Sequence, residues 1–308
     1  MKTKLIDYVD NGPIFITGHV NPDGDALGSA FALKLFLDSQ NIISDVDFDI
    51  TTKLPSNLNH LPYHLISDDL KEKYNTVFVF DCGNSSRLGK YEEVVLAAEN
   101  VVVIDHHVDP SFGDVQIIDP HAASTTQVLF RQFKDENIEI NEEMANCLLT
   151  GLITDTGRFQ YSNTTSEVFS IAAELLGNGA NLSKISENIY GSIEFNALTL
   201  QSKIIERIVL NEDLQFAHSI VFQNDYKDYQ VEPEETDFLI DVVRLVKEST
   251  VALLIKEQED GSFKGSLRSR GDIDVQKIAS IFGGGLSLIH ISEPTRPRLI
   301  SYAVFCLK

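Results

Sequence analysis

Two runs of uninterrupted apolar residues, Val77–Phe80 and Val101–Ile104, stop abruptly on titratable side chains. Asp81 follows the first, and Asp105, His106 and His107 end the second. An apolar run without alternation reads as a strand buried on both faces, which is the signature of a parallel sheet covered by helices. Ile14–Gly18, Val46–Ile50 and Val115–Ile118 supply further strands, and Thr76 starts the central one. Between them Ala26–Ser39 spaces Leu27, Ala30, Phe31, Leu33 and Leu37 as one face of a helix. The pattern then turns mostly helical over Ala122–Phe133, Glu142–Thr154, Ser166–Leu176 and Leu182–Tyr190. The fold class expected is α/β, with a mainly parallel sheet and flanking helices.

A chain of 308 residues is long for one domain. The first domain is expected over 1–192 and a connecting helix or linker over 193–214. A smaller α/β domain is expected over 215–285. Its strands are Gln215–Gln223, Thr250–Lys256 and Phe263–Arg268, and its helices Thr236–Val246 and Val275–Ile281. Residues 286–308 break the pattern. Glu293 is their one acid, against Arg296, Arg298 and Lys308 in an otherwise acidic chain. The segment resembles translated sequencing adapter, and it is expected to be a non-native tail that contributes no terminal strands and packs poorly.

The chain has 46 acidic and 25 basic residues and a formal charge of −21. Long duplex nucleic acid and anionic membrane are therefore excluded as partners unless cations reverse the local field. Three cysteines give no disulfide framework. Met1–Asp10 lacks the apolar core of a signal peptide, and no run is long enough to span a bilayer. A cytoplasmic location is expected.

Gly18–Ser29 follows a strand and opens a helix, offering His19, Asp23 and Asp25 on a path bent by Pro22 and Gly24. Taken alone it reads equally well as a turn in which Asp25 caps the helix. Asp81 alone reads as a turn residue. Asp105, His106 and His107 resist the bland reading, because consecutive titratable groups at the end of a buried strand are costly unless bonded. Neighbouring side chains in extended backbone point oppositely, so His106 and His107 have different tasks, one toward metal and one toward substrate. Asp105 can orient a histidine. Asp155 ends a helix at Gly157, where a carboxylate opposes the helix dipole. Together His19, Asp23, Asp25, Asp81, His106 and Asp155 suffice for two divalent ions. Imidazole with carboxylate and no thiolate points to Mn(2+), with Mg(2+), Co(2+) or iron behind it. Such a pair clamps phosphate and activates water.

These motifs, in this order and spacing, resemble those of the DHH phosphoesterase superfamily, and most resemble its oligoribonuclease (nanoRNase) and 3′-phosphoadenosine 5′-phosphate (pAp) phosphatase branch. The resemblance implies a manganese-dependent catalytic domain with a smaller DHH-associated domain. It implies that His19, Asp23 and Asp81 hold one ion and that Asp25, Asp81, His106 and Asp155 hold the other, with His107 at the scissile phosphate. It also implies substrate contacts in the second domain at Ser266, Arg268 and Ser269 and at the loop Gly283, Gly284 and Gly285. There the chain departs from the family, since Leu286 stands where glycine or histidine is expected. The implied substrates are short RNA oligonucleotides or pAp, with the dinucleotide pApA a third. A manganese pyrophosphatase and a non-catalytic nucleotide sensor are the rival readings, and a homodimer stays open.

Among the remaining candidates, His60 and His64 read as surface residues and His218 as structural. Cys82 reads as a small buried residue. Ser124 and Thr125 are near enough in sequence to approach the site, and Arg158 is placed equally well for a phosphate or a salt bridge.

Overall fold

A computed structural model describes residues 3–9, 12–51, 53–107, 111–191, 193–236, 238–270, 273–281 and 300–307. The chain divides into two compact units, Met1–Gly191 and Ser192–Lys308.

The first unit runs β1 (Ile14–Gly18), α1 (Gly24–Ser39), β2 (Ser44–Val46), β3 (Thr76–Phe80), α2 (Glu92–Leu96), β4 (Asn100–Asp105) and β5 (Val115–Ile118). Four helices follow: α3 (Thr125–Asp135), α4 (Glu142–Asp155), α5 (Ser166–Gly177) and α6 (Leu182–Ser186). The strands form one parallel sheet in the order β2-β1-β3-β4-β5. Successive residues serve opposite cores. Ile14, Ile16, Phe78, Phe80, Val102 and Ile104 pack on the side of α1, α3 and α4. Phe15, Val77, Val79, Val101 and Val103 pack with Leu88, Tyr91 and Val95 on the other. Two apolar faces are why these strands show no alternation.

Helix α1 is buried nearly all round through its first turns. Gly28 lets it lie close on α4, because a Cβ there would stand 2.4 Å from the Cys147 carbonyl oxygen.

Local differences from the sequence reading have simple causes. Strand β2 is Ser44–Val46, not Val46–Ile50, and pairs with Ile14, Phe15 and Ile16. It is an edge strand with polar residues, which an apolar-run search passes over. Helix α3 begins at Thr125, not Ala122, since the Ser124 side chain accepts from the Gln127 N–H and fixes the start.

The second unit runs α7 (Phe195–Glu206), β6 (Val209–Asn211), β7 (Phe216–Val221), α8 (Gln223–Tyr229), α9 (Leu239–Arg244), β8 (Val251–Glu257), β9 (Phe263–Arg270), α10 (Val275–Ile281) and β10 (Ile300–Leu307). Its sheet has the order β10-β9-β8-β7-β6, with β7 and β8 parallel and the other pairs antiparallel. The stretch expected as a connector contains α7, whose Ala197, Leu200 and Ile204 join Ala217, Leu239 and Leu254 in this unit's core.

The terminal segment differs from expectation, because β10 pairs along the whole of β9 from Ile300↔Arg270 to Leu307↔Phe263. Its sequence is rich in β-branched and aromatic residues, which suits any open sheet edge. The remaining tail residues, and Gly283, Gly284 and Gly285, lie outside the described residues.

Candidate metal centre

In an open α/β sheet, ligands gather beyond the carboxyl ends of strands where the strand order reverses. Here β1 is flanked by β2 on one side and β3 on the other, and Gly18 pairs with Phe80. The next residues along these strands are His19 and Asp81, so the sheet brings them together. Strand β4, in register with β3 through Phe80↔Ile104, delivers Asp105, His106 and His107 alongside.

His19 is held by the Val20 carbonyl, 2.9 Å from Nδ1. A carbonyl only accepts, so Nδ1 carries the hydrogen and Nε2 of the neutral ring presents a lone pair. That Nε2 is buried, has no hydrogen-bond partner, and stands 3.5 Å from Asp81 Oδ2 and 3.9 Å from Asp23 Oδ1. His106 repeats the arrangement. Its Nδ1 faces the Ala122 carbonyl at 3.4 Å, and its Nε2 lies 3.6 Å from Asp81 Oδ1 and 3.4 Å from Asp155 Oδ2. A histidine pinned through one nitrogen with the other aimed at carboxylates is the arrangement of a metal ligand.

The carboxylates are braced in turn. Asp23, not Asp25, caps α1: its Oδ1 accepts from the Asp25 N–H at 3.0 Å and the Ala26 N–H at 3.1 Å. This frees Asp25 to turn inward, fully buried, toward α3. Thr125 N–H donates to its Oδ2 at 2.6 Å and Thr126 N–H to its Oδ1 at 2.9 Å. The first turn of α3 is thus spent on a carboxylate, as helix N-termini favour. Gly151 leaves the space for it, since a Cβ at that position would stand 2.6 Å from Asp25 Oδ1. Asp81 sits in left-handed backbone (φ 54°) and accepts from the Thr125 hydroxyl at 3.2 Å. Such a φ is strained for a non-glycine residue and recurs at functional sites.

Asp105 takes a different part. Its Oδ1 accepts from the His106 N–H at 2.7 Å, the His107 N–H at 3.0 Å and His107 Nδ1 at 2.6 Å. It therefore fixes the ring of His107 and commits that ring's Nδ1.

Burial raises Asp25 and Asp155 well above the usual carboxylate range, and the neighbouring acids raise them further: Asp81 and Asp23 for Asp25, and Asp25 and Asp23 for Asp155. Burial would raise Asp81 as well, but His19, His107 and His106 outweigh it and hold Asp81 far below that range. Burial works against a charge on His19, yet Asp23 and Asp81 push it up to about 10. His106 is lowered, by burial first and His107 next. The cluster thus calls for positive charge at the point where Nε2 of His19 and the carboxylates face one another. Compact ligand sets form at His19, Asp23 and Asp81 and at Asp25, His106 and Asp155. Asp81 together with Asp105, His106 and His107 makes a further set. Buried oxygen and imidazole donors with an unpartnered Nε2 fit a divalent cation.

The structure also brings in groups that the motifs do not carry. Thr126 and Gly151 act through a backbone N–H and an absent side chain, neither of which has a sequence signature. Thr125 was within reach of the reading, and its hydroxyl and N–H both serve the site. Arg158 makes no salt bridge among the described residues. Its guanidinium lies over the Tyr190 ring, 3.8 Å from the centroid. His60 is half-buried, not a surface residue, with Nε2 2.9 Å from Thr150 Oγ1. His64 is exposed. Cys82 is buried with its thiol raised to about 12, chiefly by burial, which leaves it inert at neutral pH.

In the second unit Ser266, Arg268 and Ser269 lie on β9. Side chains alternate along a strand, so Ser266 and Arg268 share one face and Ser269 takes the other with Leu267. Ser269 is buried and its hydroxyl donates to the Ile273 carbonyl at 2.7 Å. Arg270 is spent on the carbonyls of Arg244 and Val246 at the end of α9.

The family model described as the DHH family, N-terminal domain, matches residues 13–152. A Thermus thermophilus protein described as bifunctional oligoribonuclease and PAP phosphatase NrnA is 32% identical over 283 residues, covering 89% of this chain and 81% of its own length. The chain belongs to the DHH family. A relative with the same description, from Bacillus subtilis, is 26% identical over 292 residues, covering 92% of this chain and 90% of its own. Among solved structures, an exopolyphosphatase-related protein from Bacteroides fragilis superposes with a TM-score of 0.88 at 25% identity, covering 97% of this chain and 88% of that one. The three residues after Ile104 are the Asp-His-His of the DHH family name, and their geometry is the one described above. Among the described residues, no helix is long and apolar enough to cross a membrane.

Proposed function

We propose that this DHH-family chain is a manganese-dependent phosphoesterase that hydrolyses short oligoribonucleotides and pAp. The observation that carries this reading is a pair of compact ligand sets, one containing Asp81 and the other with its His106 Nε2 3.6 Å from Asp81 Oδ1. His19, Asp23 and Asp81 would hold one ion, and Asp25, Asp81, His106 and Asp155 the other. Bound there, the ions supply Lewis-acid activation of water and neutralise phosphoryl charge.

The chain's own residues do the rest. The α3 N-terminus holds Asp25 in place before substrate arrives, so no reorganisation is needed at the moment of reaction. Asp105 clamps His107 through Nδ1 and leaves Nε2 as the nitrogen that can face substrate. Burial disfavours the charged ring, but the hydrogen bond it donates to Asp105 and the charge of Asp81 raise His107 to about 9. It therefore keeps its proton at neutral pH and would donate at Nε2 to a phosphoryl or leaving oxygen. Ser266 and Arg268 would hold the nucleotide, with Ser269 supporting the loop behind them. The choice of nucleotide over pyrophosphate rests on what the Thermus and Bacillus relatives are described as doing.

A panel of pAp, a diribonucleotide and pyrophosphate, assayed after chelation and with manganese restored, tests the reading. Manganese-dependent hydrolysis of the two nucleotides is expected. Turnover of pyrophosphate alone, or nucleotide turnover unaffected by chelation, would overturn it.

A further inference from the structure

Beside the metal centre lies a charged group that the proposed ligand sets leave unused. Arg87 sits in the short helical segment Ser85–Tyr91, just after the turn that carries Asp81. Its backbone is pinned on both sides. The Arg87 carbonyl accepts from the Val20 N–H at 2.7 Å, next to His19, and its N–H donates to the Asn84 carbonyl at 3.1 Å. Further on, the Lys90 N–H donates to the Asp49 carboxylate at 2.9 Å. Gly89 (φ 57°) makes that contact possible, since a Cβ there would collide with the same carboxylate.

The side chain is treated differently. Nε and Nη2 are buried and have no hydrogen-bond partner, and Arg87 makes no ion pair among the described residues. Buried N–H groups are normally satisfied, and an arginine without an acid is unexpected in a chain with 46 of them. Its charge reaches the centre: it opposes protonation of His107 and favours the thiolate of Cys82. Gly83, between Asp81 and Arg87 in the chain, lies against the same histidine. A Cβ there would stand 3.8 Å from His107 Cβ and 3.9 Å from Asp105 Oδ2, itself a buried oxygen with no partner.

We propose that Arg87 is a substrate-binding residue whose guanidinium takes a phosphate oxygen beside His107. The proposal rests on the phosphoesterase reading. The carboxylates of Asp23, Asp25, Asp81, Asp105 and Asp155 are offset by two divalent ions and a protonated His107, which leaves the centre no surplus positive charge to meet an incoming phosphate. Arg87 supplies that charge, in the fork geometry that suits phosphate oxygens.

The test uses the full metal-loaded chain with Arg87→Gln and Arg87→Lys. For Arg87→Gln, the KM for pAp and the inhibition constant of inorganic phosphate should each rise about 10- to 100-fold, the weight of a hydrogen bond to a charged group. Arg87→Lys should recover part of both. The rise in Tm given by manganese alone should stay at the wild-type value, whereas the further rise given by phosphate should vanish in Arg87→Gln. KM and phosphate inhibition within about two-fold of wild type would overturn the proposal. So would a manganese response lost together with the phosphate response, which marks a merely structural arginine. If the wild type hydrolyses none of the panel, the phosphoesterase reading fails by itself. The phosphate-induced Tm shift, present in wild type and lost or kept in Arg87→Gln, then still decides whether Arg87 holds an anion.

Discussion

At the carboxyl end of the first sheet the polar side chains face inward and are braced from behind. On β9 of the second unit they are divided between two faces of one strand. Asp25 takes two backbone N–H groups from α3, and His19 and His106 are each pinned through Nδ1. On β9, Ser269 turns to one face and donates to the Ile273 carbonyl, while Ser266, Arg268 and Arg270 share the other face, where Arg270 is spent on the Arg244 carbonyl. The difference is one of preorganisation. A centre whose ligands share a bridging carboxylate fails as a unit, whereas contacts to remote parts of a substrate can be lost by degrees.

Asp81→Ala should therefore have the largest effect, lowering kcat on every substrate by about three orders of magnitude or more, as loss of a central catalytic group does. Retention of activity on any one substrate would show that the bridge is not shared. Arg268→Ala should leave kcat nearly unchanged and raise KM for nucleotides about ten-fold, the loss of one charge-assisted contact. An equal fall in kcat and kcat/KM would erase the contrast between the two regions.

Much of the first region was legible in the sequence because its chemistry resides in side chains at strand ends. His19, Asp81 and the Asp105–His107 run stand out against apolar neighbours. What was not legible acts through the backbone or through missing atoms. The Thr125 and Thr126 N–H groups, and the space left by Gly151, become meaningful only when α1, α3 and α4 are packed. The turn reading would place the cap at Asp25, but Asp23 takes it; both suit the position, and the bonds of Asp25 to α3 decide between them. In the second region the sequence shows Ser266, Arg268 and Ser269 close together, but strand alternation parts them. Strand β10 went unseen because an edge strand needs only a suitable apolar segment and an open partner.

Gly151→Ala sharpens the comparison from the side of shape. The added methyl crowds Asp25 Oδ1, so the affinity for manganese should fall about ten-fold with the fold retained, a cost typical of modest overpacking. Titration of the chelated protein with manganese reads this directly. Unchanged affinity would mean that Asp25 is not a ligand.

The smallest effect lies at His60. Burial, aided by the charge of Lys184, lowers it to about 4. The Thr150 hydroxyl donates to the Asn146 carbonyl and accepts from His60 Nε2, which leaves the buried Nδ1 with no acceptor for a second proton. A depressed histidine pKa stabilises the fold fully above about 6.5. That contribution is lost as pH falls from there through about 4. His60→Gln should remove this part of the acid-side loss, seen as a smaller difference in Tm between pH 7 and pH 4 than in wild type.

The central claim is that one buried cluster, joined through Asp81, holds the metal on which activity depends. Equilibrium binding of manganese to the chelated chain, in wild type and in Asp81→Asn, tests it most directly. Two ions per wild-type chain are predicted, with both weakened together in Asp81→Asn while the metal-free variant remains folded. Undiminished binding in Asp81→Asn, or loss of one ion with the other unaffected, would contradict the shared centre.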